Sequence, residues 1–333
     1  MKKLTALIRR HAQTLWYVLT VVLPVILRTG KRPVIFSKYS GIGDILCTFP
    51  TVLKLKERHP NATFIYNCYQ PYDCLPAMGG ITETVTHLRH IGVLRHWYGW
   101  LFASFYEFPS ADEKKDSFCT QYLVKEYAKN HGVEVESHHP HLTISSSVSE
   151  RTKAFLGSST SPADLIVIHP GPTWPIKEWP RASWMELINK LKLNGHSNII
   201  QIGTNSHLAM GTVNNVGLPG VTSLVNQLTL EECVAVIAKA NLFVGVDSGL
   251  IHIAAALKIR GFGIFGPTNP KIILPSQIAA QSITSQIHCQ GCHHRIPRIH
   301  WEKGCPHDAA CMKIIPVAEV LAACLRLLPQ CRP

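Results

Sequence analysis

Residues 242–265 constrain the fold more than any other stretch. Leu242-Phe243-Val244-Gly245-Val246 is a short apolar run and Asp247-Ser248-Gly249 a polar turn. Residues 249–257 carry a helical pattern, and Gly261-Phe262-Gly263-Ile264-Phe265 is a second apolar run. Strand, helix and strand in succession make a βαβ unit, which demands a parallel sheet. Runs that are apolar at nearly every position are what a strand needs when helices cover both sheet faces. The turn also aims free backbone N–H groups, a helix dipole and the imidazole of His252 at one spot, with Gly266-Pro267-Thr268 soon after. Such a spot suits a phosphate or diphosphate.

The same alternation recurs along the chain. Pro33-Val34-Ile35-Phe36-Ser37 reads as a buried strand and Ser40-Gly41-Ile42-Gly43-Asp44 as a glycine turn. Residues 45–58 read as a helix with Pro50 early in it, and Thr63-Phe64-Ile65-Tyr66-Asn67 as the next strand. Residues 85–95 and 120–130 add a strand or loop and a helix. Serine-rich stretches around a short helical segment mark residues 145–162 as an interdomain boundary. Beyond it, strands at 165–168, 198–202, 242–246 and 261–265 alternate with helices at 182–194, 230–240 and 249–257, and residues 317–328 close the chain as a helix. The expected organisation is an N-terminal segment 1–30, one α/β domain over 31–155 and a second over 156–333. A cleft between two such halves is where a ligand is expected.

The formal net charge of +12, with 18 histidines besides, favours acidic partners: nucleic acid, anionic lipid or a phosphorylated substrate. A basic but inert surface is the plain alternative. Scattered cysteines in apolar company, as in Leu46-Cys47 and Ala323-Cys324, suit a reducing compartment, and no small-residue cleavage signature of a secretory signal is present. Residues 15–27 form an apolar run with Lys2, Lys3, Arg9 and Arg10 before it and Arg28, Lys31 and Arg32 after it. A spanning helix needs about 20 apolar residues. This run is shorter and contains Pro24, so a helix lying in the plane of an anionic membrane fits better than a span. A helix packed on the domain is the alternative.

Gly41-Ile42-Gly43 after a strand resembles the start of a dinucleotide fingerprint, but the third glycine would fall at Leu46, which argues against a nicotinamide site. Asp44 stands at a helix start beside two glycines, where an N-cap is the ordinary reading. It is also at the C-terminal edge of a strand, with room for a substrate hydroxyl, and is a candidate general base. His169-Pro170-Gly171-Pro172-Thr173-Trp174-Pro175-Ile176-Lys177 is a stiff loop whose Lys177 can clamp a phosphate. Gly203 and Thr204 end the next strand in another glycine turn that can support a nucleotide. No Asp-x-Asp pair for Mg²⁺ or Mn²⁺ occurs, so a leaving diphosphate is expected to rest on Lys177, His252 and helix N-termini.

These stretches together resemble glycosyltransferase family 9, the ADP-heptose:lipopolysaccharide heptosyltransferases, over most of the chain from Val34 onward. The resemblance rests on Ser40-Gly41-Ile42-Gly43-Asp44, on Lys177 with Trp179-Pro180, and on Val246-Asp247-Ser248-Gly249 with His252 and Gly266-Pro267-Thr268. It implies a GT-B fold, two facing Rossmann-like domains with parallel sheets and an interdomain cleft. It also implies an inverting, metal-independent transfer of a heptose or related sugar from an ADP-sugar to a lipopolysaccharide core or similar glycan. Asp44 takes the place of the base, Lys177 that of the phosphate contact, and Asp247-Ser248-Gly249 with His252 that of the diphosphate or sugar holder. Asp247 repels phosphate, so it is expected to bind a sugar hydroxyl or to orient the turn. The implied location is the inner face of the inner membrane, peripheral and cytoplasmic.

Two further clusters stand apart. Cys289-Gln290-Gly291-Cys292, then Cys305 and Cys311, can make a tetrahedral structural site for zinc or iron, as a similar pattern does for iron in related autotransporter heptosyltransferases. Free thiols or disulfides are the alternative, and His293, His294, His300 and His307 are alternative ligands. Arg89 and Arg95, in a stretch with His87, His90, His96, Trp97, Tyr98 and Trp100, read equally as a solvated loop or as an acceptor contact, beside Gly41 and Gly43. The rival functions are a nucleotide-sugar epimerase or hydrolase of the same fold, and a non-catalytic basic protein binding membrane or nucleic acid. Neither a nucleic-acid partner nor a catalytic cofactor is expected.

Overall fold

A computed structural model of the chain describes residues 2–89, 99–109, 121–135, 140–156, 164–171, 174–204, 217–295 and 305–328. They form two compact units, the first with residues 2–109 and 124–143 and the second with residues 121–123 and those from 144 onward.

The first unit is built on β1 (Val34–Ser37), β2 (Phe64–Asn67), β3 (Val85–Thr86) and β4 (Ser104–Glu107). The strands lie in the order β3-β2-β1-β4 and every pair is parallel. Alternation along the strands sorts the side chains onto two faces. Phe36 stacks with Phe64 at 5.9 Å and Tyr106 at 5.6 Å on one face, where Tyr66 also meets Thr48 of the helix Ile42–Glu57 at 2.7 Å. Ile35 and Ile65 point to the other face, which the N-terminal helices cover with Tyr17, Val18, Val22 and Val25. Those helices run Lys2–Tyr17, a π turn Val18–Val22, and Leu23–Thr29, stopped by Gly30 at φ 68°. Tyr17 anchors them through a hydroxyl contact to Thr86 at 3.1 Å, and burial pushes its pKa up to about 12. One side of the N-terminal segment is therefore part of the unit's core. The other leaves Trp16, Leu19 and Leu27 exposed at 67%, 54% and 77%.

The second unit has β5 (Ile166–His169), β6 (Ile199–Gln201), β7 (Thr222–Ser223), β8 (Leu242–Val246), β9 (Gly261–Phe265) and β10 (Ile283–Thr284). Their order is β10-β9-β8-β5-β6-β7, again all parallel. β5, β8 and β9 are buried at every position, as the apolar runs require. A capping box between Thr229 and Glu232 starts the helix Leu230–Ala238. The helix Ser146–Leu156, which the sequence pattern put within the boundary stretch 145–162, packs with this unit: Val148 and Thr152 are buried and Arg151 reaches Glu232 at 3.7 Å. Serine runs resemble linkers, yet Ser145 accepts from Val148 N–H and so caps this helix instead of interrupting it.

In each sheet the strand order reverses once, between β1 and β4 in the first unit and between β5 and β8 in the second. Chains leave the sheet in opposite directions at such a point, and open α/β sheets bind ligands there, beyond the strands' C-terminal ends.

Candidate active site

In the second unit the reversal point is occupied by an ion pair. The loop after β5 makes a short turn, Pro175–Lys177, and brings Lys177 Nζ to 2.7 Å from Asp247 Oδ2, just past β8. Thr268, past β9, donates its hydroxyl to the same oxygen at 2.5 Å. The Lys177 ammonium also lies 4.5 Å from the centre of the Trp174 ring. Trp179 seats the loop: it is fully buried, crosses Trp184 edge-on at 5.3 Å, and donates its indole N–H to the Ile315 carbonyl. Burial pushes the Asp247 carboxyl up, but Lys177, the Thr268 hydroxyl and the charge of His252 outweigh it and hold the pKa below the usual range. Asp247 thus pairs with a cation and a hydroxyl.

Ser248 caps the helix Gly249–Ala256 by accepting from Leu250 N–H at 3.3 Å, and His252 lies buried on its first turn. The helix N-terminus and the Lys177 ammonium together make one positive spot beside β8. Gly203 lies at the end of β6, where an added Cβ would stand 2.6 Å from the Gly171 carbonyl oxygen. Thr204 beside it is exposed. The sequence assigned no role to His169, which ends β5. Its Nδ1–H donates to the Ile202 carbonyl at 3.0 Å, and burial lowers its pKa to about 4. At neutral pH it is an uncharged imidazole whose Nε2 is an acceptor. Its place at a strand end was the available signal.

The first unit's reversal point holds Asp44. Its helix begins at Ile42, with Gly41 as N-cap, so Gly43 and Asp44 lie within the first helical turn, earlier than the expected start at residue 45. Ser40 donates its hydroxyl to Asp44 Oδ2. Gly41 is exposed, and a Cβ there would meet nothing within 4 Å. The glycine keeps the approach to Asp44 open and answers no backbone strain. Arg89 is exposed after β3. Arg95 lies outside the described residues.

The cysteine cluster adjoins the second-unit site. Gly291 N–H donates to the Gly266 carbonyl at 2.9 Å and His293 N–H to the Pro267 carbonyl at 2.8 Å. Gly266 has no room for a side chain: a Cβ would stand 2.7 Å from Cys311 Sγ and 2.7 Å from Met312 Sδ. His293 crosses Trp174 at 5.9 Å. Burial raises the pKa of Cys311 to about 11, and nearby Cys289, Cys292 and Cys305 add to the rise. Burial, with Cys289 and Cys305 nearby, raises the pKa of Cys292. Among the described residues, the ligand atoms that lie within 4.8 Å of one another belong to His288, Cys289 and His307, a set that shares only Cys289 with the four expected cysteines. Soft thiolates and imidazoles so grouped fit zinc or iron.

The family "Glycosyltransferase family 9 (heptosyltransferase)" matches residues 87–300. Lys177, Asp247, Thr268, Cys289 and Cys292 lie inside that span and Asp44 before it. Lipopolysaccharide heptosyltransferase 1 of Pseudomonas aeruginosa is 38% identical over 112 residues, covering 32% of this chain and 29% of that protein. Lipopolysaccharide heptosyltransferase 3 of Escherichia coli is 28% identical over 169 residues, covering 50% and 47%. These matches thus span less than half of either relative's length. Among solved structures, the iron-containing dodecameric glycosyltransferase TibC of enterotoxigenic Escherichia coli has a TM-score of 0.67 at 20% identity over 89% of this chain and 76% of that one. Escherichia coli ADP-heptose lipopolysaccharide heptosyltransferase II gives 0.57 at 19% identity, over 89% and 98%. The two parallel α/β units are those of the GT-B fold class. With the family match extending over more than half its length, this chain belongs to glycosyltransferase family 9.

Proposed function

We propose that the protein transfers a heptose, or a related sugar, from an ADP-sugar donor to a hydroxyl of a lipopolysaccharide core or similar glycan. The observation that carries this reading is the Lys177–Asp247–Thr268 cluster, fixed at the sheet reversal beside a helix N-terminus. An ammonium held by one carboxylate still has N–H groups to donate, and a departing diphosphate is what such a cation stabilises. Asp44 takes the acceptor's proton as its oxygen attacks the anomeric carbon. The diphosphate leaves from the opposite side, so one displacement inverts the configuration. The charge developing on the leaving group falls on Lys177 and the helix dipole, and the transfer needs no metal. Incubating the protein with ADP-heptose and a heptose-free lipopolysaccharide, with and without a chelator, tests the reading. Inverted product formed at an unchanged rate in chelator is the expected result. Hydrolysis of the donor without transfer would favour the hydrolase alternative.

The cysteine cluster holds a structural zinc or iron in this reading, on Cys289, Cys292, Cys305 and Cys311. Such a metal joins the loop carrying Gly266 and Thr268 to the end of the unit. Anaerobically purified protein is expected to carry about one metal ion per chain, and Cys292→Ser to lose it together with several degrees of Tm. Metal-free wild-type protein of unchanged Tm would end this assignment.

The N-terminal helix lies in the plane of the inner membrane's cytoplasmic face in the same reading. Among the described residues it is the one helix long and apolar enough to cross a membrane, over Leu4–Thr29. Its docked side, with Val22 fully buried and Tyr17 bonded to Thr86, favours lying flat, because crossing would strip that face from the sheet. Trp16, Leu19 and Leu27 then enter the lipid while Arg9, Arg10, Arg28, Lys31 and Arg32 meet anionic headgroups. Replacing those three apolar residues with glutamate leaves the docked face intact. Binding to anionic vesicles should fall at least tenfold, since each buried apolar side chain contributes about 1.5–3 kcal/mol. Unchanged binding would exclude this face as the contact.

A further inference from the structure

Three tyrosines gather at the C-terminal edge of the first unit's sheet, the edge that also carries Asp44. β1 and β2 run parallel with Ser37 opposite Asn67, so Tyr39 and Tyr69 follow the two strand ends at matching positions. Their rings meet edge-on at 5.7 Å, and Tyr72 meets Tyr69 edge-on at 5.6 Å. All three are partly exposed. Three other tyrosines of this unit engage their hydroxyls: Tyr17 contacts Thr86, Tyr66 contacts Thr48, and Tyr106 contacts His59 at 2.8 Å. The hydroxyls of Tyr39, Tyr69 and Tyr72 have no hydrogen-bond partner among the described residues.

The loop after β3 completes the group. Asn67 clamps Leu88 from both sides, accepting from its N–H at 2.7 Å and donating to its carbonyl at 3.0 Å. This fixes the backbone just before Arg89; burial and Tyr69 raise the Tyr39 pKa, and the charge of Arg89 works against that rise. Rings presenting π faces and free hydroxyls pack against the C–H faces of a pyranose while bonding its hydroxyls. A guanidinium beside them selects a carboxylate or phosphate on the same sugar.

We propose that Tyr39, Tyr69 and Tyr72 with Arg89 form the acceptor subsite, an aromatic platform for an anionic sugar ring whose hydroxyl is presented to Asp44. This rests on the glycosyltransferase reading and names its second substrate's chemistry. The backbone clamp at Asn67 sets the platform before the sugar arrives.

The test is binding of a deacylated, heptose-free lipopolysaccharide core to the full-length protein, measured by calorimetry beside ADP binding. Wild type is expected to bind both. Tyr69→Leu and Tyr39→Leu should each weaken the glycan about three- to tenfold, the range for one aromatic contact. Tyr69→Phe keeps the ring but loses one hydrogen bond, so its affinity should fall between those of wild type and Tyr69→Leu. Arg89→Ala should weaken the glycan and lessen the salt dependence of its binding. Leucine variants that bind the glycan as wild type does, or that lose ADP affinity and Tm in parallel, would overturn the platform. So would a phenylalanine variant as weak as the leucine one, or a wild type that binds ADP but no glycan. Glycan binding without any affinity for ADP or ADP-heptose would instead refute the glycosyltransferase reading and leave the platform standing.

Discussion

Asp44→Asn is expected to reduce sugar transfer by about 10²- to 10⁴-fold, the usual contribution of a general base, while the dissociation constant of ADP-heptose stays at its wild-type value. The substitution is nearly isosteric. Asparagine retains an oxygen that can accept from Ser40, and it keeps the helix start at Ile42, where Gly41 and not Asp44 is the cap. What it removes is the capacity to take a proton. The Ser40 hydroxyl holds the carboxylate oxygen in place for the proton that leaves as the new bond forms. Rates measured at saturating donor and acceptor, with donor affinity measured separately, give the answer. Wild-type-like turnover would refute the assignment, and loss of donor affinity would make Asp44 part of the donor site.

Lys177→Ala is expected to have two large effects. Donor affinity or turnover falls because the cation nearest the proposed diphosphate is gone. Stability falls as well, because Asp247 is left buried without its counter-ion. Removing one member of a buried pair costs roughly 3–5 kcal/mol. The side chains of Lys177 and Asp247 are only 15% and 6% exposed, so solvent screens the loss little.

The pH dependence carries the sign. In the wild type the Asp247 pKa is depressed. Its contribution is present above the unfolded carboxylate pKa and is lost as pH falls through the folded value. Without Lys177, burial dominates and the folded pKa rises above the unfolded one. The destabilisation of Lys177→Ala should therefore grow with pH, starting below the ordinary carboxylate range, where Asp247 ionises in the wild type, and levelling off once it ionises in the variant too. Adding Asp247→Asn should remove that pH dependence. Thermal denaturation of the three proteins between acidic and neutral pH measures this. A Lys177→Ala penalty that does not change with pH would mean that the ion pair contributes little.

Much of the site was legible because it lies where strands end. Asp44 in the first unit, and Lys177, Asp247 and Thr268 in the second, each follow an apolar run, and in each parallel sheet such positions fall at the C-terminal edge. The thiol cluster was legible from its spacing. The partnership of Lys177 with Asp247 was not, because 70 residues separate them in sequence and only the adjacency of β5 and β8 joins them. The tyrosine platform was hidden for the same reason. Tyr39 and Tyr69 look like ordinary half-buried aromatics until the parallel register of β1 and β2 sets them side by side. His169 went unremarked because its neutral state comes from burial, which spacing does not report. The two-residue strands β3, β7 and β10 are too short to show any period.

By itself the sequence determined the alternation of strand and helix, the parallel sheets that follow from it, and the edge on which chemistry would gather. These are local consequences of apolar runs and turn residues, and each can be read within a few dozen residues. The tertiary structure decided which side chains share a charge or a ring contact at that edge. It also placed the helix Ser146–Leu156 in the second unit and sank one face of the N-terminal helix into the first. Strand order and register are settled by packing between segments far apart in the chain, and no short window of residues contains that information.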